Sequence, residues 1–156
     1  MNYFVYMMPL GRLTIAASDK GITQIHFGDV QLDMPRRPSA LTNTAATQLQ
    51  EYFAGKRRVF DVPLDLQGTE FQLEVWKHLQ NIPFGQTRTY ADIAELVGKP
   101  TGFRAVGMAN NKNPIPIIVP CHRVIGTGGK LMGYACGLKI KRYLLELEGV
   151  DVDALK

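Results

Sequence analysis

Residues 69–110 read TEFQLEVWKHLQNIPFGQTRTYADIAELVGKPTGFRAVGMAN, and this stretch decides the fold. Thr69 is placed to cap a helix whose apolar stripe is Phe71, Val75, Leu79 and Ile82. Pro83-Phe84-Gly85 ends that helix. Thr89 is placed to cap a second, Tyr90 to Val97, with Ile93 and Val97 facing inward. Gly98-Lys99-Pro100-Thr101-Gly102 makes a tight turn, and a third helix runs from Phe103 to about Asn110 with Arg104 near its start. Two short helices around a glycine-containing turn fit a helix-turn-helix. That spacing points to DNA without requiring it.

Upstream the pattern is that of strands. Tyr3–Tyr6 and Leu13–Ala17 are β-rich runs around Pro9-Leu10-Gly11, and Gly21–Phe27 alternates apolar and polar residues. Asp33–Ser39, with Pro35 and Pro38, reads as a loop. Ala45, Leu49 and Phe53 place a helix over Thr44–Phe53, stopped by Gly55, and Val59–Leu66 is expected as one more strand, interrupted by Pro63. Downstream, Ile115–Pro120 holds too many prolines for a central strand and is expected to be a buried, stiff, extended segment that delivers Cys121. A last amphipathic helix spans Leu138–Glu148 and closes at Gly149. The expected fold is α/β in the α+β sense. Residues 1–66 form a small N-terminal sheet domain with one helix, and residues 67–156 a mainly helical domain with the helix-turn-helix.

Composition narrows the function classes. The chain has 156 residues, 46% hydrophobic and 21% charged, enough apolar content to fold without a metal or a disulfide. It has no apolar run of about 18 residues, so no membrane partner is expected. Met1–Ala17, broken by Pro9, Gly11 and Arg12, does not read as a secretory signal, and a cytoplasmic location follows as the expectation. Two cysteines, Cys121 and Cys136, are too few for a disulfide scaffold or a paired-CxxC zinc site. The net charge is +4, and from Leu96 to Leu145 there is no Asp or Glu. The same stretch carries Lys99, Arg104, Lys112, Arg123, Lys130, Lys139, Lys141 and Arg142. Such a field suits a polyanion, although a merely solvated basic face would look the same.

Cys121-His122-Arg123 lies inside this stretch. A thiol is a nucleophile as thiolate, and neighbouring His or cationic groups favour that form. A lone buried cysteine is more often an inert hydrophobe, and sequence neighbours often point apart, so adjacency leaves both readings open. Cys136, between Ala135 and Gly137, reads as a packing residue. Lys130 after Gly126-Thr127-Gly128-Gly129 fails as a phosphate loop because Leu131 stands where Ser or Thr is needed. His26 and His78 have no companions at metal spacing. Tyr90 and Tyr134 fit either a pocket or a core.

Pro120-Cys121-His122-Arg123-Val124, preceded by Asn113-Pro114-Ile115-Pro116-Ile117-Ile118-Val119, resembles the active-site signature of the O6-alkylguanine-DNA alkyltransferases. The similarity continues through Phe71…Val75-Trp76, Tyr90-Ala91-Asp92-Ile93-Ala94, Arg104-Ala105-Val106-Gly107, Gly133-Tyr134 and Leu144-Leu145…Glu148-Gly149. It is dense over residues 67–149 and only in outline before them.

The resemblance implies stoichiometric, irreversible transfer of an alkyl group from O6-alkylguanine in double-stranded DNA to Cys121, with O4-alkylthymine left open as a second substrate. It implies His122 as base through a water, held by Glu148, with Asn113 supporting the site. The target lies inside a stacked duplex, so the base must be extruded at a cost of a few kcal/mol. The family works from the minor groove and fills the gap with an arginine, which matches Arg104. Small residues Ala105, Gly107 and Ala109 would let that helix approach closely. Tyr90 would donate to guanine N3, the carbonyls of Cys121 and Val124 would accept from the exocyclic amine, and the Ala135 amide would donate to O6. Pro116 and Tyr134 would line the pocket, with Cys136 at a wall position that varies in size across the family. No cofactor and no metal are expected, and the protein is expected to act as a monomer. The alternative is an alkyltransferase-like protein that only binds lesions; such relatives replace the acceptor cysteine, whereas Cys121 is present. A helix-turn-helix transcription factor and a cysteine hydrolase are further readings, disfavoured by the lack of a regulatory domain and by the acid-free stretch.

Overall fold

The computed structural model describes residues 1–131, 134 and 136–155, and the chain divides into two compact units, Met1–Gln67 and Gly68–Lys156. The first is built on an antiparallel sheet of β1 (Asn2–Met8), β2 (Gly11–Ala17) and β3 (Ile22–Phe27), in that order. β2 is central, and Leu13 through Ala17 are all buried, which is why this strand is the most uniformly apolar. Helix α1 (Ala40–Phe53) packs on β1 and β2, and the Tyr6 hydroxyl reaches Thr42 Oγ1 and Asn43 Oδ1 at 2.9 and 2.7 Å.

Two expectations need correction here. The helix begins four residues before Thr44, because Ser39 and Thr42 form a capping box whose reciprocal bonds satisfy the first-turn donors. Val59–Leu66 is not a strand. It makes one bridge, Ile22 to Leu64, in which the Ile22 amide donates to Pro63 O at 2.9 Å and Asp65 N donates to Ile22 O at 2.8 Å. Pro63 lacks the donor that further pairing needs, and Val59 is solvent-exposed. This bridge requires a residue without a side chain at Gly21, since a Cβ there would lie 2.7 Å from the Pro63 carbonyl oxygen. Gly21→Ala should destabilise the protein by about 1–3 kcal/mol, read as a lower urea midpoint; an unchanged midpoint would mean the 59–66 segment yields freely.

The second unit contains α2 (Glu70–Gln80), a two-residue strand β4 (Arg88–Thr89), α3 (Tyr90–Leu96), α4 (Phe103–Asn111), a 3-10 turn (Cys121–Arg123), β5 (Val124–Ile125), α5 (Leu138–Leu147) and a closing 3-10 turn (Val152–Ala154). Thr69 and Thr89 cap α2 and α3 as their sequences require, each with a reciprocal bond from the third helical residue. Val75, Trp76 and Leu79 bury the inner face of α2, and the Trp76 indole donates to Ala109 O at 2.9 Å, tying α2 to α4. α3 and α4 pack on each other across the Gly98–Gly102 turn, giving the helix-turn-helix arrangement. Within the described residues no helix is long and apolar enough to cross a membrane.

Candidate active site

Residues 113–125 fold back on themselves before they reach Cys121. Ile115 through Pro120 are buried, as expected, but they form a turn and not an extended segment. Val119 N donates to Ile115 O at 3.0 Å, and Ile117 sits at φ 74°, a region costly for a β-branched residue. Asn113 holds the turn closed: its Oδ1 accepts from Ile115 N at 2.9 Å and its Nδ2 donates to Val119 O at 2.7 Å. The prolines restrict each φ but leave these carbonyls as acceptors, so a proline-rich run can serve as a turn bracketed by one amide side chain. The chain then enters the Cys121–Arg123 turn, and β5 pairs in parallel with β4, Arg88 opposite Val124 and Thr89 opposite Ile125. That pairing brings the first residue of α3, Tyr90, toward the cysteine, whose negative charge would act on the Tyr90 phenol.

Helix α5 supplies the other wall. Lys141, Leu144 and Leu145 are buried on one helical face, and Glu148, the next residue of that face, caps the helix. Glu148 is a saturated carboxylate. Its Oε1 accepts from Arg123 Nε at 2.8 Å and from the Gly85 amide at 3.1 Å. Its Oε2 accepts from Arg123 Nη2 at 2.9 Å and bonds His122 Nε2 at 2.7 Å. Arg123 Nη1 donates to Ile82 O at 2.7 Å, so the guanidinium is fixed from two sides. Gly85 adopts φ +79°, and a Cβ there would press on Glu148 O at 3.0 Å, so the close approach needs glycine.

The titration behaviour follows from this packing. Burial pushes the Cys121 thiol up to about 11, opposed by hydrogen bonding from Asn113 and Tyr134 and by the Lys141 charge. The thiol therefore carries its proton at neutral pH and needs a base to give it up. Burial also lowers His122, against the pull of Glu148, so the imidazole is neutral. Burial raises Glu148, but the His122 and Arg123 bonds outweigh it and hold the carboxyl far below the usual carboxylate range. With Glu148 ionised, the proton on neutral His122 resides on Nε2, and Nδ1 is a buried lone pair with no hydrogen-bond partner among the described residues. Tyr90 is pushed to about 12 by burial first and by Cys121 second. Lys141 is lowered to about 8 by burial, while Cys121 draws it upward.

The structure thus gathers Cys121, His122, Glu148, Asn113 and Tyr90 in one place. Pro116 is buried in the Asn113 turn, and the Tyr134 ring lies 5.9 Å from Lys141 Nζ. The Val124 carbonyl already accepts from Lys141 Nζ at 2.5 Å, which leaves one lone pair for another donor. Cys136 is half-buried. Ala135 and Gly133 lie outside the described residues. Arg104 and Ala105 are exposed on α4, and Gly107 is half-buried, where a Cβ would lie 3.9 Å from the Tyr90 ring. Ala109 is the exception among the small residues: it is buried, facing the core and Trp76, and gives α4 no approach to a groove. The basic stretch also thins out. Arg123 and Lys141 are interior, Arg142 pairs with Glu146 and Asp153, and Lys99, Arg104, Lys112, Lys130 and Lys139 remain exposed.

The sequence reading names Arg123 only as a cation of the basic stretch beside the thiol, and it misses Lys141, Asn110 and Gly85 as residues of the site. Lys141 had a signal, since it lies three, four and seven residues before Leu144, Leu145 and Glu148 on one face. Asn110, whose Nδ2 donates to Cys121 O at 3.3 Å, and Gly85 had none that spacing could reveal. Among the described residues no group of three or more His, Cys, Asp or Glu could hold a metal.

Comparison with known proteins bears on this geometry. Residues 70–150 match the family described as 6-O-methylguanine DNA methyltransferase, DNA binding domain, and residues 1–66 the 6-O-methylguanine DNA methyltransferase, ribonuclease-like domain. The chain is 48% identical to a methylated-DNA–protein-cysteine methyltransferase of Methanosarcina acetivorans over 154 residues, covering 96% of this chain and 99% of that one. It is 45% identical to the constitutive methylated-DNA–protein-cysteine methyltransferase of Bacillus subtilis, covering 97% and 98%. Among solved structures it is similar to Mycobacterium tuberculosis OGT in complex with DNA, with a TM-score of 0.89, 45% identity and 99% of each chain covered. With both parts of the chain matched and the Cys-His-Arg turn set against a buried glutamate, the chain belongs to the 6-O-methylguanine DNA methyltransferase family.

Proposed function

We propose that this protein repairs DNA by direct reversal, moving the alkyl group of O6-alkylguanine in duplex DNA onto Cys121 once and irreversibly. The observation that carries the reading is the state of His122: neutral, with Nε2–H given to Glu148 and Nδ1 left as a buried lone pair next in sequence to a protonated thiol. A water between Cys121 and His122 Nδ1 would pass the thiol proton to the imidazole as the S–C bond forms and the C–O6 bond breaks. The departing guanine gains electron density, and a Tyr90 proton donated toward ring N3 would stabilise it. A phenol held at about 12 keeps that proton at neutral pH. The thioether product has no leaving group that water can displace, so the protein acts once.

The lesion reaches the thiol only if it leaves the stack, and on the pattern of the family α4 would lie in the minor groove with Arg104 filling the gap. Arg104 is exposed near the start of α4, and half-buried Gly107 adds no side chain to that helix. Ala105, also exposed, would keep the helix slim, and Pro116, Tyr134 and half-buried Cys136 would bound the base pocket. Residues 1–66 hold no comparable constellation and would act as a support. Such work on chromosomal DNA is expected in the cytoplasm. Arg104→Ala should slow repair in duplex much more than alkylation by a free O6-alkylguanine base. Rates of both reactions on one protein sample check this, and equal slowing would contradict a flipping role.

A further inference from the structure

Arg123 is a buried cation that this mechanism does not use. We propose that Arg123 is a positioning residue that sets the basicity of His122 by clamping Glu148 through both oxygens, and this rests on the alkyl-transfer reading above. The geometry is a shared carboxylate. Oε2 meets both His122 Nε2, at 2.7 Å, and Arg123 Nη2, at 2.9 Å, while Oε1 takes Arg123 Nε and the Gly85 amide. All four acceptor directions are spent, and Ile82 O and the Phe84 ring hold the guanidinium in place.

A His–Glu pair alone would make the imidazole a strong base that is protonated before it meets the thiol. Such an imidazolium has no lone pair on Nδ1 and cannot take a proton. Burial is the largest cause that lowers His122; the permanent guanidinium charge acts in the same direction by offsetting Glu148, so His122 stays neutral while its orientation is still fixed. The charged or titratable groups around His122 are Glu148 and Lys141 from α5, Arg123 and Cys121 in its own turn, and Tyr90 of α3, which reaches the site through Cys121. Helix α2, also packed against the turn, buries the apolar Val75, Trp76 and Leu79. Arg123 is bonded to the same carboxylate oxygen as His122.

The test is the pH dependence of single-turnover methyl transfer from O6-methylguanine duplex DNA with protein in excess, for the unaltered protein, Arg123→Lys and Arg123→Met. Transfer by the unaltered protein establishes the underlying reading independently. The low-pH limb should move up by about one pH unit or more in Arg123→Met and should stay in place in Arg123→Lys, at reduced rate. Three superimposable profiles that differ only in height would make Arg123 a structural clamp and overturn the inference. Should Arg123→Met fail to fold, Arg123→Gln is the neutral variant, and nitrogen NMR reads His122 directly: an imidazole that is protonated at higher pH than in the unaltered protein supports the inference, and an unchanged His122 titration refutes it.

Discussion

Cys121→Ser leaves a protein that still binds O6-methylguanine duplex DNA but accepts no alkyl group. The serine hydroxyl is nearly isosteric, so the Asn110 bond to the backbone carbonyl and the Asn113 turn survive. His122 cannot compensate, because its lone pair removes a proton but supplies no nucleophile, and a hydroxyl is a far poorer nucleophile than a thiolate. Gel-shift titration and intact mass on the same sample measure the two properties together. Retained binding with zero adduct is expected; loss of both would assign Cys121 to folding. Cys136 should not substitute, since among the described residues its side-chain partner is the Tyr134 phenol and not a base, and alkyl mapped to Cys136 would refute that.

Glu148→Ala should cost about 3–5 kcal/mol of stability, enough to lower the melting temperature by about 10 °C or more. The change strips the Arg123 guanidinium of its carboxylate and leaves it, with the Gly85 amide and His122 Nε2, in a dry interior. The sign of the pH dependence follows from the same bonds. The folded Glu148 carboxyl titrates below its ordinary value, so its stabilisation is complete above the ordinary carboxylate range and is lost as pH falls. His122, also lowered, adds to the loss as pH falls through about 6.5, because the unfolded chain takes up that proton first. The urea midpoint of the unaltered protein should therefore fall between pH 7 and pH 4. Glu148→Gln should start lower and fall less steeply. Parallel curves for the two proteins would show that Glu148 is not the linked group.

Helix caps at Thr69 and Thr89, the three hairpin-linked strands and the helix-turn-helix were legible because each is written locally, as a capping residue or an apolar period. The fold of 113–120 was not, since proline content excludes a strand but does not distinguish an extended segment from a turn. The deciding contacts are the Asn113 side-chain bonds across six residues and the positive φ of Ile117. The Val59–Leu66 error has the same origin: the segment has strand composition, but pairing depends on what lies across from it, and Pro63 stops the ladder after one bridge. Cys121, His122 and Asn113 stood in one signature, whereas the role of Arg123 depended on a partner 25 residues away. A cation read as part of a positive field and as a neighbour of the thiol is bonded instead to an interior carboxylate.

The measurement that bears most directly on the whole account is the intact mass of the protein after mixing with duplex DNA carrying one O6-methylguanine, followed by peptide mapping. The account predicts a gain of a single CH2, carried by Cys121 and stopping at one equivalent per chain whatever the excess of DNA. Tight binding to the lesion with no mass gain would contradict it, and would make this chain a lesion-binding protein in which the Cys121–His122–Glu148 arrangement serves some other end.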